Sequence, residues 1–235
     1  MSDARRPALA GLIDHAPLFP PASLPVPEAI DEDRRARADE HDWLLARLVW
    51  PASKLDELEG EDRALSILLD GPYEGDLRVE AVETRWEAGL DGLHGEAYVE
   101  LPLDDGLEAK IATLAELGLR AKVRCGGAAV PSAEALGRFL TLCGDAGVPF
   151  KATAGLHHPL AAEGRHGFLN VLAACAFADE AALTGAVELD TEGLRWAGRT
   201  AGADQLARVR REQLVAVGSC SFFEPVAELQ ELGIL

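Results

Sequence analysis

RAKVRCGGAAVPSAEALGRFLTLCGDAGVPFKATAGLHHP, residues 120–159, is the stretch that decides the fold. It opens on an alternating run at 120–125, RAKVRC, that has the period of a strand. Gly126-Gly127 then breaks the run, and Ser132 stands where a helix N-cap belongs. An apolar helical pattern follows over 132–146 and stops at Gly147. A second alternating run, PFKATAG at 149–155, completes a strand–helix–strand unit, the pattern of a right-handed parallel crossover.

Working outward, the same alternation recurs. Candidate strands lie at 8–14, 43–51, 64–70, 77–83, 96–101, 120–125, 149–155 and 213–219. Helical patterns are clear at 107–117, 132–146, 167–178 and 203–212, with others at 30–42 and 53–60. Eight strands interleaved with helices in one domain over 1–235 predict a (β/α)₈ TIM-type barrel. An open or doubly wound parallel sheet is the alternative, because residues 70–96 leave little room for helices between strands. A proline-rich loop at 17–27 should lie over one rim.

With 235 residues, the chain can bury roughly 70–75% of its unfolded surface. The net charge of −18 argues against nucleic acid, whose affinity comes from cations on phosphates. No run reaches the ~18 apolar residues of a membrane span, and the N-terminus has no secretory pattern. Cys125, Cys143, Cys175 and Cys220 form no C-x-x-C pair, so free thiols in a cytoplasmic protein are expected. A homo-oligomer would fit barrel enzymes in general.

Of 22 basic residues only four are lysines, Lys54, Lys110, Lys122 and Lys151, and the remaining 18 are arginines. Two of the four fall inside the quoted strands. Strand parity places Lys122 and Arg124 on one face, with Lys151 and Thr153 beside them and Tyr98 and Glu100 on the neighbouring strand. In 77–83, Arg78 and Glu80 lie opposite the apolar set. Glu80, Glu100, Lys122, Arg124 and Lys151 should therefore share the interior, where desolvating several charges costs several kcal/mol each. Such a cost points to a site. Lys151 is the candidate base or imine-forming amine, Lys122 its companion, Glu100 an acid/base partner and His157 an acid/base at the rim. Arg124, Gly126, Gly127, Thr153 and Ser219 are candidate substrate contacts, the glycines because they let backbone approach an anion. Cys220 has no evident base and no G-x-S-x-G elbow is present, so nucleophilic serine or cysteine chemistry is not expected. Asp14, at a strand end, could join Glu100 and His157 around a divalent metal; otherwise no cofactor is expected.

The motifs KVRCGG, PFKATAGLHHP and GSCSFFEP, with GLIDHAPLFPP and HGFLNVLAA, resemble a family of bacterial cytosolic proteins nearly end to end, a resemblance that implies no particular activity. FKATAG is similar to the Schiff-base strand of deoxyribose-phosphate aldolases, which carry a second lysine on the adjoining strand, although there the reactive lysine lies on the earlier strand. The pair Lys151 and Lys122 would then repel by about 3 kcal/mol at ~5 Å, enough to lower one by about two units. His157 or His158, Asn170 to Ala174 and Asp14 resemble the metal-dependent lyases related to hydroxymethylglutaryl-CoA lyase, with His-His-Pro replacing their His-x-His. The expectation is an enzyme acting on a small anionic carbonyl or carboxylate compound by lysine-centred acid–base or aldolase/lyase chemistry. The alternatives are a metal-assisted lyase or hydrolase and a non-catalytic binder of small anions.

Overall fold

In a computed structural model, which describes residues 3–58, 62–71, 79–127 and 130–235, eight parallel strands close into a barrel. They are β1 (Ile13–His15), β2 (Leu45–Pro51), β3 (Leu65–Leu68), β4 (Val79–Arg85), β5 (Ala97–Glu100), β6 (Arg120–Arg124), β7 (Phe150–Thr153) and β11 (Leu214–Ser219). β11 closes the ring by pairing with both β7 and β1. The (β/α)₈ expectation is met. No described helix is long and apolar enough to cross a membrane.

The jacket is uneven. α3 (Leu107–Leu117), α4 (Ala133–Ala146), α5 (Phe168–Phe177) and α6 (Ala203–Glu212) cover the side from β5 to β11, and α7 (Phe223–Glu231) follows the last strand. α4 shows why. Ser132 accepts the Ala135 amide at 3.1 Å, and Leu136, Phe139, Leu140 and Cys143 form one apolar stripe that is buried. Phe139 meets Phe150 of β7 edge-on at 5.3 Å. From β2 to β5, by contrast, the described connections contain only 3₁₀ turns, at Ala52–Leu58 and Trp86–Ala88.

Several boundaries differ from the sequence expectation. Residues 8–14 are not one strand. α1 (Arg5–Leu9) ends there, Gly11 turns the chain with φ +56, and β1 keeps only three residues. Arg210 fixes this corner, its buried guanidinium donating to the carbonyls of Ala8, Ala10 and Gly11 at 2.8, 3.2 and 3.0 Å. It also reaches those of Leu214 and Val215 at 2.9 and 2.7 Å. α2 is Val26–Arg37 rather than 30–42, because Pro25 and Pro27 favour a helix start. The strand read at 77–83 is Val79–Arg85, and its first two residues, including Arg78, lie outside the described residues. A small antiparallel sheet, β8 (Val187–Leu189), β9 (Leu194–Trp196) and β10 (Arg199–Ala201), was not anticipated. It turns at Ala197-Gly198, both with positive φ, the geometry of a tight hairpin.

Candidate functional site

The barrel interior carries charged side chains in two layers. At the N-terminal end Arg47 pairs with Glu80 and Glu96 at 3.3 and 2.8 Å, and Arg120 pairs with Glu96 at 2.7 Å. The Tyr98 hydroxyl donates to Glu96 at 2.7 Å and accepts from Arg120 at 2.9 Å. Burial pushes the Tyr98 phenol up to about 12.

Above this layer runs a chain of alternating charge. Lys151 is fully buried and lies between Asp14, at 2.6 Å, and Glu83. Asp14 also accepts the Arg47 amide at 3.1 Å. The other oxygen of Glu83 is 3.0 Å from Lys122, and Lys122 is 3.0 Å from Glu100. Ser66 donates to Glu83 at 2.7 Å. Asp14, Lys151, Glu83, Lys122 and Glu100 thus come from β1, β7, β4, β6 and β5. Their register sets Lys122 directly beside Lys151 across the β6–β7 pair. Burial alone would lower the Lys151 ammonium, but the two carboxylates outweigh it and hold the group above its ordinary value. Burial alone would raise Glu83, and Lys151 and Lys122 instead hold it well below the carboxylate range. The anticipated lowering of Lys151 by Lys122 is therefore absent. Glu83 stands between the two ammonium groups and cancels their repulsion.

The chain opens upward into a cavity of about 580 Å³ at the C-terminal rim, where barrel folds carry their sites. Its floor and sides include Glu83, Lys151, Lys122, Glu100, Arg85 and Arg124. Thr153, Gly127, His157, Gly218 and Cys220 complete the polar wall. The proline-rich loop contributes Phe19, Pro20 and Pro21, and Val49 and Leu68 add apolar surface. Four cations and two carboxylates line the space. Arg85 has no ion-pair partner among the described residues, and Arg124 approaches Glu100 only to 3.9 Å. No protein-family model, curated protein or solved structure gives a match to the chain. The site must be read from its own chemistry.

Most of the residues singled out from the sequence converge: Lys122, Lys151, Glu100, Arg124, Gly127, Thr153 and His157 all line the cavity. Four are placed otherwise. Gly126 packs against Gly155, where a Cβ on either would meet the other's Cα at 3.0 Å; it sets the loop rather than facing the cavity. Ser219 points away, its hydroxyl donating to the Ser221 carbonyl at 2.5 Å, because Gly218 and Cys220 hold the inward parity. Glu80 belongs to the N-terminal layer. Asn170 is consumed by backbone, accepting from Ala161 and donating to Ala182 and Gly185, each at 2.8 Å.

Asp14, Glu100 and His157 do not form a metal centre. Asp14 faces Lys151, Glu100 faces Lys122, and His157 leans on Glu224 at 3.4 Å. Among the described residues, the donors near enough to share a cation are His158, Glu224 and Glu228. That imidazole is already paired on both sides, with Glu228 at 2.6 Å and Arg165 at 3.0 Å. Glu83 and Arg85 were missed from sequence, and Cys220 was set aside there for want of a base, although its sulfur lies 3.7 Å from His157 Nδ1. Simple alternation could not find the first two, because β4 carries a bulge: Leu65 pairs with Val79 but Ser66 with Ala81. The parity slips there, so that Glu80 faces inward below the bulge and Glu83 and Arg85 above it, while Val79 packs on the helix side.

Proposed function

We propose that the protein is an enzyme acting on small anionic carbonyl or carboxylate compounds by proton transfer next to the carbonyl, or by the carbon–carbon bond chemistry that such a proton transfer allows. The observation that carries the reading is the excess of cations lining the cavity, with Arg85 unpaired among the described residues and Arg124 reaching Glu100 only at 3.9 Å, in a chain of net charge −18. A carboxylate or phosphate completes that balance, and guanidinium groups hold either in a bidentate way. The geometry favours Lys122 over Lys151 as the group that meets the substrate. Lys151 is locked between two carboxylates with no exposed surface, so it serves as a fixed positive charge beneath the reacting carbon. Lys122 reaches the cavity with Glu83 and Glu100 each at 3.0 Å, and Glu100 can take or return its proton.

The test is exchange of carbon-bound hydrogen in deuterated water, followed by proton NMR over a panel of 2-oxo acids and phosphorylated aldehydes. Exchange with at least one compound is expected, and Lys122→Arg should abolish it while keeping charge and fold, since arginine cannot give up its proton at this pH. Borohydride trapping on Lys122 would assign an imine route, and trapping on Lys151 would reverse the two roles. Saturable binding without exchange would make the protein a binder of small anions, and no binding across the panel would remove the reading altogether.

A further inference from the structure

The cavity wall carries a second pair of reactive groups outside the lysine–carboxylate chain. Cys220, which follows β11, places its sulfur 3.7 Å from Nδ1 of His157. The backbone amides of Ala22 and of Cys220 itself also face that sulfur and favour its anionic form. Nδ1 of His157 is at the same time 3.4 Å from Glu224, and its ring meets His158 edge-on at 4.8 Å. Both Cys220 and His157 line the cavity that holds Lys122, Arg85 and Arg124. All four cysteines are buried, and of them only Cys220 lines this cavity.

We propose that Cys220 and His157 form a thiol–imidazole pair that adds reversibly to the carbonyl carbon of an anionic aldehyde or ketone held by Arg85 and Arg124. The inference rests on the anionic-carbonyl reading above and adds a covalent contact to it. In the step the sulfur–carbon bond forms as the carbonyl π bond breaks. The thiol proton passes to Nδ1 of His157 and from there to the carbonyl oxygen, leaving a hemithioacetal or hemithioketal. Nothing is oxidised or reduced, and no further reactant is needed.

The surroundings suit each stage. Burial holds His157 below its ordinary value against the pull of Glu224, so the ring begins neutral; the step uses the tautomer with its proton on Nε2, which leaves Nδ1 to accept. Once protonated at Nδ1 it faces the Glu224 carboxylate, which steadies the imidazolium. Burial pushes the Cys220 thiol up, the Glu224 and Glu32 carboxylates add to this, and the two amides oppose it. The resting pair is thus thiol and imidazole, the general-base arrangement of nucleophilic catalysis.

Alkylation of the intact chain tests the pair. Iodoacetate and iodoacetamide both form a sulfur–carbon bond with loss of iodide, and peptide mapping by mass spectrometry gives the rate at each cysteine. Cys220 should be labelled ahead of the other three. Its preference for the anionic reagent should exceed that of the urea-unfolded chain about tenfold, as expected of a cation-lined pocket. His157→Gln should slow both reagents about tenfold or more, and glyoxylate, an anionic aldehyde, should protect Cys220 saturably. A Cys220 no more reactive than the other three cysteines, or one indifferent to His157→Gln, would overturn the pair. It would leave the Lys122 exchange test standing. A reactive, His157-dependent Cys220 with no preference for iodoacetate and no protection by glyoxylate would instead remove the anionic-carbonyl occupant, and the proposal with it.

Discussion

At the N-terminal end of the barrel interior, Arg47 and Arg120 face Glu80 and Glu96, and the Tyr98 hydroxyl bridges Glu96 and Arg120. At the C-terminal end the same residue types are used with a different sum. Lys122 and Lys151 share Asp14, Glu83 and Glu100; of the two arginines above them, Arg85 has no ion pair among the described residues and Arg124 reaches Glu100 only at 3.9 Å. In the first layer each described cation faces a carboxylate at close range, and the layer closes the barrel floor. The second has a surplus of positive charge only where the cavity begins. Structural ion pairs satisfy each other, whereas a binding site withholds part of the pairing for its ligand, and this contrast locates the site more firmly than any single residue does.

The contrast can be broken from the inside first. Lys151→Met leaves Asp14 and Glu83 buried without their shared cation and should cost about 3–5 kcal/mol in urea unfolding, the usual penalty for removing one partner of a buried pair. A loss below ~1 kcal/mol would mean that the middle layer is no more integral than a surface pair. Acidity gives the next effect. Glu83 is held below its ordinary 4.5, so its contribution is complete above that value and is lost as pH falls through the lower folded one. Lys151 is held above its ordinary 10.5, so its contribution is complete below 10.5 and is lost as pH rises through the higher folded one. These two groups add no slope between 4.5 and 10.5, where the lowered His15 and His157 and the raised buried thiols set the pH dependence, and Glu83→Gln should flatten the decline on the acid side.

Smaller effects sharpen the comparison. Arg85→Ala and Arg124→Ala should each weaken anion binding by about tenfold, close to the 1.5–3 kcal/mol of a charged hydrogen bond after solvent screening. Each should leave unfolding within ~0.5 kcal/mol of the parent, with calorimetric titration as the readout. At the opposite end, Glu80→Gln removes one partner from a partly exposed pair and should change stability by less than ~1 kcal/mol, with no effect on anion affinity. A shift in anion affinity from Glu80→Gln would show that the two ends are electrostatically coupled.

The barrel was legible because its strands alternate cleanly where they matter. Arg120 to Cys125 and Phe150 to Gly155 put Lys122 and Lys151 inward by parity alone, and the register agrees. Reading stopped where a strand's register slips. The bulge in β4 between Val79 and Ala81 turns both Glu80 and Glu83 inward, and strict alternation from Glu80 hid Glu83 and Arg85, two of the most important charges. Contact across the barrel was equally out of reach. Nothing in the chain order says that Asp14 meets Lys151, 137 residues away, or that Cys220 meets His157. The β8–β10 sheet was overlooked for a simpler reason: strands of three residues are too short for alternation to register.

The contact between Gly126 and Gly155 has a thermodynamic consequence. These glycines follow β6 and β7 beside Arg124 and Thr153, and a Cβ on either would sit only 3.0 Å from the other's Cα. The conformational freedom of Gly126 and Gly155 is therefore surrendered when the chain folds, not when a ligand arrives. Binding then orders only side-chain tips, each costing about 0.5–1.5 kcal/mol, and even a compound of a few heavy atoms can be held selectively.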